Sequence, residues 1–361
     1  MAKKLAFDRG LFAVVLALTG LGLVMVYSAS AALARDHARA VNPFFVKQVL
    51  VACVGIAGMW ILMHADYRNL RRPAVVYGLL GTAIGLLVLV LFGRELNSVN
   101  RWLFVAGISI QPSEFAKLAL VAFLAYQLDR KPDQVNQVPV LLPCGLVATV
   151  MVGLVLLQPD MGTAVLLFST AALLLFLGGL AWRWVLLTGV ATLPVVATLV
   201  LTSDYRRERL LAFLHPERDP LGSGFQALQS LIAVGSGGIL GLGAGQSVQK
   251  LYFLPYPHSD FIYAIVAEEL GMIGALVVVA LFGVLLWRGV RAGYRAPDLL
   301  GRYLAWGITG FLVIQAFLNI SVAIALVPTK GIPLPFLSYG GSSLVVSLLS
   351  CGVVLNVSQH G

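Results

Sequence analysis

The residues best suited to chemistry lie at the end of the longest polar segment of the chain. That segment closes with Gln249-Lys250-Leu251, Leu254-Pro255 and His258-Ser259-Asp260-Phe261, directly before an apolar run. At this edge, apolar neighbours would desolvate the Asp260 carboxylate and raise its pKa toward a value useful for a general base. An Asp at such a junction also commonly caps a helix. Both roles stay open at this point, and Lys250 and His258 are candidate substrate ligands beside it.

A second pair of charges opens a different apolar segment, Gln111-Pro112-Ser113-Glu114-Phe115-Ala116-Lys117. Pro112 and Ser113 are typical of a helix start, and Glu114 and Lys117, three residues apart, share one face of that helix. Charges at membrane depth are costly and usually face a partner or a water-filled cavity. The pair is therefore either part of a substrate site or an ion pair that satisfies itself.

Basic residues elsewhere could bind a phosphate. Arg101 can form two parallel hydrogen bonds to a phosphate, whereas the adjacent Trp102 is typical of the membrane interface. Arg209 belongs to a basic cluster with Arg206 and Arg207 that would suit a pyrophosphate, although contact with lipid headgroups is the favoured interpretation for Arg206 and Arg207.

Two further turns contribute polar candidates. Asp160 follows Pro159 in a short turn, where it either caps the next helix, the favoured interpretation, or helps to bind a divalent cation. Lys330 precedes a turn rich in proline, and Ser338 opens the next apolar run, where its hydroxyl could cap a helix or contact a sugar.

The elements that carry these residues are predicted to be membrane-spanning helices. Of the 361 residues, 59% are hydrophobic and 11% are charged, which excludes a water-soluble domain. The apolar runs are continuous and about 20 residues long, as helices that cross a bilayer require, and do not alternate like barrel strands. We predict an all-α polytopic membrane protein forming a single domain over 1–361. Its ten spans lie near 11–30, 46–64, 74–92, 112–128, 140–158, 162–179, 184–202, 262–287, 302–326 and 338–357.

The distribution of Lys and Arg predicts the orientation. Short loops on one side carry thirteen of them and those on the other side six, so the N- and C-termini are predicted to be cytoplasmic. The long segment between spans seven and eight, about 203–261, is then extracytoplasmic. Its glycine-rich middle, 222–245, favours short, close-packed or re-entrant helices, or a phosphate cradle. Candidate residues Arg101, Glu114, Lys117, Asp160, Lys250, Asp260 and Lys330 all fall on this outer side.

The remaining composition argues against other classes. The net charge of +9 is explained by the loop asymmetry and by contact with anionic lipid, and no compact basic region indicates nucleic-acid binding. Cys53, Cys144 and Cys351 fall within predicted spans, without metal-ligand spacing, and are not expected to form disulfides.

Ordered motifs along nearly the whole chain resemble the SEDS family, the shape, elongation, division and sporulation membrane proteins of bacteria. They are Gly22-Leu23-Val24-Met25-Val26-Tyr27-Ser28-Ala29-Ser30, Arg101-Trp102, Ile110-Gln111-Pro112-Ser113-Glu114 with Lys117, Gln158-Pro159-Asp160-Met161-Gly162-Thr163, Gln229-Ser230, Gly237-Gly238, Gly241-Leu242-Gly243, Gln249-Lys250-Leu251, Leu254-Pro255, His258-Ser259-Asp260-Phe261, Glu268-Glu269-Leu270-Gly271, Lys330-Gly331-Ile332-Pro333-Leu334-Pro335-Phe336 and Ser338-Tyr339-Gly340-Gly341-Ser342-Ser343.

The resemblance implies a ten-span peptidoglycan glycosyltransferase that polymerises lipid II outside the bacterial cytoplasmic membrane. It assigns Asp260 to the loop aspartate essential for catalysis, and Glu114 and Lys117 to the charged pair of helix four. It also implies dependence on a divalent cation, Mg²⁺ or Mn²⁺, a class B penicillin-binding protein as partner, and further proteins of the division or elongation complex.

Within the family, Met25–Ser30 and Ser247–Leu251 are more similar to the division branch than to the elongation branch, so a septal role is expected. The chain departs from the family pattern where Tyr256 replaces the usual acidic residue after Leu-Pro, and Pro257 follows. Ser259 replaces the usual Thr and keeps the hydroxyl. The missing acid leaves in doubt any part it has in metal binding.

Two rival functions remain at this point. A lipid II flippase would need a polar pathway through the membrane midplane, yet the candidate polar groups cluster on the outer side. A non-catalytic scaffold that activates a penicillin-binding partner would tolerate Asp260→Asn.

Overall fold

A computed structural model of the chain describes residues 7–36, 42–93, 100–105, 108–216, 222, 224–251 and 253–361. These residues form twelve α-helices: α1 (Arg9–Asp36), α2 (Pro43–His64), α3 (Pro73–Leu91), α4 (Pro112–Arg130), α5 (Val138–Leu157), α6 (Met161–Leu177), α7 (Trp182–Leu201), α8 (Asp204–Leu214), α9 (Phe225–Ser236), α10 (Ile262–Arg295), α11 (Leu299–Ala323) and α12 (Gly341–Ser358). Lys3, Lys4, Arg39 and Arg94, counted for the charge asymmetry, and Ser223 lie outside the described residues.

A helix occupies each of the ten predicted spans. Among the described residues, seven helices are long and apolar enough to cross a membrane, namely α1, α2, α3, α5, α10, α11 and α12. The helix α6 and the apolar part of α7 are shorter, and α4 carries four charged residues. The chain is therefore a multi-pass membrane protein of the all-α class, and the number of ten spans stays a prediction.

Residues that favour helix initiation stand at the N-termini of several of these helices. Pro43, Pro73 and Pro112 stand at first helical positions, where a missing N–H costs nothing. The Asn42 side chain accepts hydrogen bonds from the first free N–H groups of α2, at 3.0 and 3.3 Å. Asp298 caps α11 through the N–H of Gly301, at 2.8 Å.

The centre of the bundle is formed by α4, α11 and α12. Nearly every residue of α4 is buried, and most of α11 and α12 is buried as well. The outer helices α2, α3, α5 and α7 instead direct large apolar side chains outward. In a bilayer that surface contacts lipid, so the polar side chains that α4 and α11 carry must find partners inside the protein.

The predicted extracytoplasmic segment contains two short helices, of which α9 lies in the glycine-rich middle where the composition favoured one and α8 precedes it. Its glycine-rich part then pairs with a break in α10. Gly271 interrupts that helix with φ 67° and ψ −168°, and Leu242 and Gly243 donate to the carbonyls of Glu268 and Glu269, both at 3.0 Å. A Cβ on Gly241 would lie 2.2 Å from the Glu269 carbonyl oxygen. These backbone N–H groups therefore bind α10 and do not form the alternative phosphate cradle.

A pair of short strands was not predicted from the sequence. Strands β1 (Leu103–Val105) and β2 (Ile108–Ile110) form an antiparallel hairpin between α3 and α4, with Leu103 opposite Ile110. Strands of three residues are too short for an alternating pattern to be detected. The three cysteines are free, as expected.

Candidate active site

A pocket of about 830 Å³ opens at one end of the bundle, where α5, α7 and α11 finish. This is the end that the charge pattern predicts to be extracytoplasmic. The pocket brings together five predicted site residues from separate parts of the chain: Arg101, Asp160, Arg209, Asp260 and Lys330. Apolar side chains of α7, among them Val196 and Val200, complete the wall beside these charges.

Asp260 lies in this pocket and does not cap α10. The helix begins at Ile262, and its first cap position is Phe261, without a side-chain hydrogen bond. Burial raises the pKa of the Asp260 carboxyl to about 6. The Ser259 hydroxyl and the charges of Arg209 and Arg101 act in the opposite direction, while Asp160 adds to the rise. The carboxylate is thus suited to accept a proton near neutral pH.

Contacts from two other elements hold the Asp260 backbone. The Nδ2 of Asn319, on α11, donates to the Asp260 carbonyl oxygen at 2.8 Å. The Ser338 hydroxyl donates to the Ser259 carbonyl at 2.5 Å and accepts from the Leu334 N–H at 2.7 Å. Opposite the carboxylate lies Gly331, where a Cβ would be 2.9 Å from Asp260 Oδ2.

Four cations line the same pocket, namely Arg101, Arg206, Arg209 and Lys330. The Arg101 guanidinium donates to the Gln158 carbonyl at 2.9 Å and also to the Pro159 carbonyl, which fixes it to the turn between α5 and α6. Arg209 reaches from α8 to the Thr329 carbonyl at 2.9 Å. Burial lowers the pKa of Lys330, and the nearby Asp160 charge opposes this change. A cluster of this kind favours an anionic group such as a diphosphate.

Asp160 serves as the N-cap of α6, as favoured from the sequence. One of its oxygens accepts from the Thr163 N–H at 3.0 Å, and the other accepts from the Thr163 hydroxyl at 2.8 Å. Over the described part of the chain, no three His, Cys, Asp or Glu side chains gather as metal ligands. Among the described residues, the pocket therefore offers a cation the carboxylates of Asp160 and Asp260, and substrate phosphates would have to complete its coordination.

The charged pair of α4 lies away from the residues that line the pocket. Lys117 Nζ donates to Glu114 Oε2 at 2.7 Å and to Gln315 Oε1 at 2.6 Å, and both members of the pair are at most 2% exposed. This arrangement matches the self-satisfied ion pair that was the alternative to a substrate site.

Lys250 also lies elsewhere. Its Nζ donates to Glu269 Oε1 at 2.8 Å, to the Ser28 hydroxyl at 3.0 Å and to the Gly245 carbonyl at 2.7 Å. Glu269 is in α10 and Ser28 in α1, so this cation joins the long segment to two helices. The structure gives it no contact with the pocket.

The last three predicted ligands are outside the pocket lining as well. The His258 ring packs against Phe44 and Tyr339, with ring centres 5.2 and 5.5 Å away, and burial lowers its pKa to about 4. A neutral imidazole packed at an angle against two aromatic rings supports the Asp260 segment. Ser338 acts through its backbone contacts, and Trp102 lies next to the pocket residue Arg101.

Two residues that hold this site were missed from the sequence, Gln315 and Asn319. They stand one helical turn apart on α11, both nearly fully buried. Polar amides inside an apolar, membrane-spanning run are a signal for a partner or a cavity. That signal was available in the sequence.

The fold and the pocket together define a multi-pass membrane protein with two carboxylates and several cations at one end of its helices. Residues 9–361 match the cell cycle protein family named for FtsW, RodA and SpoVE. The chain belongs to this family, which confirms the resemblance to the SEDS proteins.

Individual relatives and solved structures agree with this assignment. The probable peptidoglycan glycosyltransferase FtsW of Trichlorobacter lovleyi is 43% identical over 98% of the chain and 93% of its own length. A chain of a peptidoglycan synthase complex, solved to describe the structural coordination of polymerization and crosslinking, is 35% identical. It has a TM-score of 0.81 and covers 98% of both chains. The rod shape determining protein RodA of Thermus thermophilus is 31% identical over 98% of this chain and 97% of its own, with a TM-score of 0.72.

Proposed function

We propose that this protein is a peptidoglycan glycosyltransferase that polymerises lipid II into glycan strands at the outer face of the bacterial cytoplasmic membrane. The observation that carries the proposal is the pocket in which Asp260 lies among Arg101, Arg209 and Lys330. Relatives named peptidoglycan glycosyltransferase share the full length of the chain. A pocket of about 830 Å³ is also within the range of sites that enclose a ligand of several rings.

The reaction is an inverting glycosyl transfer. Asp260 removes the proton from the 4-hydroxyl of the acceptor N-acetylglucosamine as that oxygen attacks C1 of the donor N-acetylmuramic acid. The bond from C1 to the lipid diphosphate breaks, and the diphosphate leaves as an anion whose charge Arg101, Arg209 and Lys330 offset. General base assistance contributes about 10²- to 10⁴-fold, and holding two lipid-linked sugars in the membrane plane adds through proximity.

The divalent cation remains part of the proposal without an assigned site or step. Among the described residues no three His, Cys, Asp or Glu side chains gather as ligands, and the pocket offers only the carboxylates of Asp160 and Asp260, so we expect purified protein to bind Mn²⁺ weakly in the absence of lipid II. Electron paramagnetic resonance of Mn²⁺ with and without lipid II would check this, and tight binding to the protein alone would contradict it.

A class B penicillin-binding protein is proposed as the partner, together with other proteins of the division complex. The similarity to a chain of a synthase complex that couples polymerization to crosslinking supports a crosslinking partner. The identity of 43% to an FtsW protein over 98% of the chain supports the division branch and a septal location. A fluorescent fusion that follows the lateral wall instead of the septum would favour the RodA-like role.

The decisive experiment is lipid II polymerisation by purified protein with its partner and Mg²⁺ or Mn²⁺. Asp260→Asn keeps the shape of the side chain but cannot accept the proton, so we expect glycan strands to be lost. Asp133→Asn, at an exposed turn, serves as the control. Equal polymer from Asp260→Asn and wild type would refute the base assignment. Translocation of labelled lipid II without any polymer would instead support a flippase.

A further inference from the structure

The amide of Asn319 joins two sides of the active-site pocket. Its Nδ2 donates to the Asp260 carbonyl oxygen at 2.8 Å and to the Ile332 carbonyl oxygen at 2.7 Å. Asp260 precedes α10, whereas Ile332 belongs to the loop between α11 and α12, and α11 carries Asn319 itself. We propose that Asn319 is a positioning residue that sets the distance between the Asp260 carboxylate and the Lys330–Ile332 wall. This inference rests on the proposed function, in which Asp260 is the base.

The chemistry of the contacts fixes the orientation of this amide. Both partners are carbonyl oxygens, which only accept hydrogen bonds, so the NH₂ group must face them. Asn319 is 1% exposed and lies within an apolar, membrane-spanning helix. An amide is costly to bury in such a helix unless its hydrogen bonds are needed.

A second amide extends the same row on α11. Gln315, one turn earlier, donates from Nε2 to the Pro333 carbonyl at 2.8 Å and accepts from Lys117 Nζ at 2.6 Å. Because Lys117 can only donate, it holds the Gln315 oxygen toward itself and the NH₂ group toward Pro333. Through Gln315, the buried Glu114–Lys117 pair thereby holds Pro333, the residue that follows the Lys330–Ile332 wall. Asn319 ties that wall to Asp260.

The clearance at this wall is small. A Cβ at Gly331 would lie 2.9 Å from Asp260 Oδ2, closer than normal contact. A shift of the wall relative to Asp260 would therefore displace the carboxylate or close the space for the acceptor hydroxyl. A misplacement of about 1 Å in catalytic geometry can cost about 10²-fold in rate.

The test is Asn319→Asp, which keeps the size of the side chain but replaces the donating NH₂ group with an oxygen that repels both carbonyls. We expect kcat for lipid II polymerisation to fall about 10²-fold with little change in KM. The matched control is Asn356→Asp, another fully buried Asn whose Nδ2 donates to a backbone carbonyl, that of Met63, at 2.7 Å. That site is at the opposite end of the bundle, so its variant should keep the wild-type kcat.

A second measurement does not depend on turnover. Carbodiimide coupling of an amine to Asp260, followed by mass spectrometry over a pH series, reports the environment of the carboxyl group. We expect the profile to change in Asn319→Asp and to match the wild type in Asn356→Asp. If Asn319→Asp does not fold, Asn319→Ser, which can donate to one carbonyl only, should show an intermediate loss of kcat.

Unchanged kcat and an unchanged Asp260 labelling profile in a folded Asn319 variant would overturn the inference. Equal losses of kcat in the Asn319 and Asn356 variants would also overturn it, because a general loss of stability would then explain both. Failure of the proposed function has a different signature, in which Asp260→Asn itself polymerises lipid II at the wild-type rate.

Discussion

The raised pKa of the Asp260 carboxyl predicts how the rate of polymerisation depends on pH. Its pKa of about 6 is raised first by burial and further by Asp160, against the Ser259 hydroxyl, Arg209 and Arg101. A general base works only when deprotonated, so kcat/KM should rise as the pH increases through about 6 and level off above it. Initial rates of lipid II polymerisation, measured on both sides of that pH, would check this.

The neighbouring Asp160 carboxylate provides a control for this dependence of kcat/KM on pH. Asp160→Asn removes a negative charge near Asp260, while Asn still caps α6 well. Since that charge raises the pKa of Asp260, the rising limb should move to lower pH in the variant. A profile without a limb near pH 6 in the wild type would contradict the assignment of Asp260 as base.

Gly331 leads to a second prediction at the scale of single residues. In Gly331→Ala, the new methyl group would lie 2.9 Å from Asp260 Oδ2 and crowd the carboxylate. We expect a loss of kcat of about 10-fold or more, since catalytic geometry is sensitive to such displacement. Gly340→Ala is the matched control, because its Cβ would have its nearest neighbour at 3.7 Å. Equal activity of the two variants would show that the space beside Asp260 is not needed.

Among the elements, the break in α10 and the segment that covers it act as one structure. Glu268 accepts from the Ser247 hydroxyl at 2.5 Å and from the Val248 N–H at 2.9 Å, and Glu269 binds Lys250. These contacts fasten the segment that leads to Asp260 onto the same helix that Asp260 precedes. The segment is therefore held at both ends by α10.

The ion pair between Lys250 and Glu269 is predicted to contribute to the stability of the fold. Lys250→Met leaves the buried Glu269 carboxylate without its cation, and breaking such a pair typically costs about 3–5 kcal/mol. We expect a lower thermal unfolding temperature in detergent. The double variant Lys250→Met with Glu269→Gln removes both charges and should recover part of the loss. A double variant less stable than Lys250→Met would contradict this account.

The sequence predicted the elements well because apolar runs of about 20 residues have few alternatives in a membrane protein. It also predicted Asp260, Asp160, Arg101, Arg209 and Lys330, whose charges stand out at the ends of those runs. Their convergence in one pocket depends on tertiary packing.

The misplaced and missed residues have a common physical cause. Lys250 was expected to face substrate, but its Nζ donates to Ser28 on α1, 222 residues earlier in the chain, and to Glu269 on α10, 19 residues later. For Asn319, a polar amide within an apolar run signals a buried partner, but the sequence does not show that its partners are the carbonyls of Asp260 and Ile332. Pairing between distant segments decides both cases.

For the whole molecule, the partly exposed ion pairs mark the end opposite the pocket. Arg68 and Asp298 are 3.3 Å apart, Arg71 and Asp129 3.1 Å, and further pairs lie at the same end. This end carries the Lys and Arg excess that predicts a cytoplasmic side. The pocket would then face the outer leaflet of the membrane, where the proposed lipid-linked substrate would lie.

Labelling of single cysteines tests that orientation. Tyr256→Cys, at the exposed edge of the pocket, should react with a membrane-impermeant maleimide in intact spheroplasts. Asp133→Cys, in the exposed turn between α4 and α5, should react only after the membrane is permeabilised. The reverse pattern would invert the topology and place the pocket inside the cell.

The pocket also has a consequence for biosynthesis. Its wall begins at Arg101 and is complete only with Gly331, close to the C-terminus. During translation, the first helices enter the membrane long before the ribosome has made the loop that follows α11. A nascent chain, or one that a premature stop codon ends before Gly331, therefore lacks part of the pocket, and the proposed reaction becomes possible only after this loop has been made.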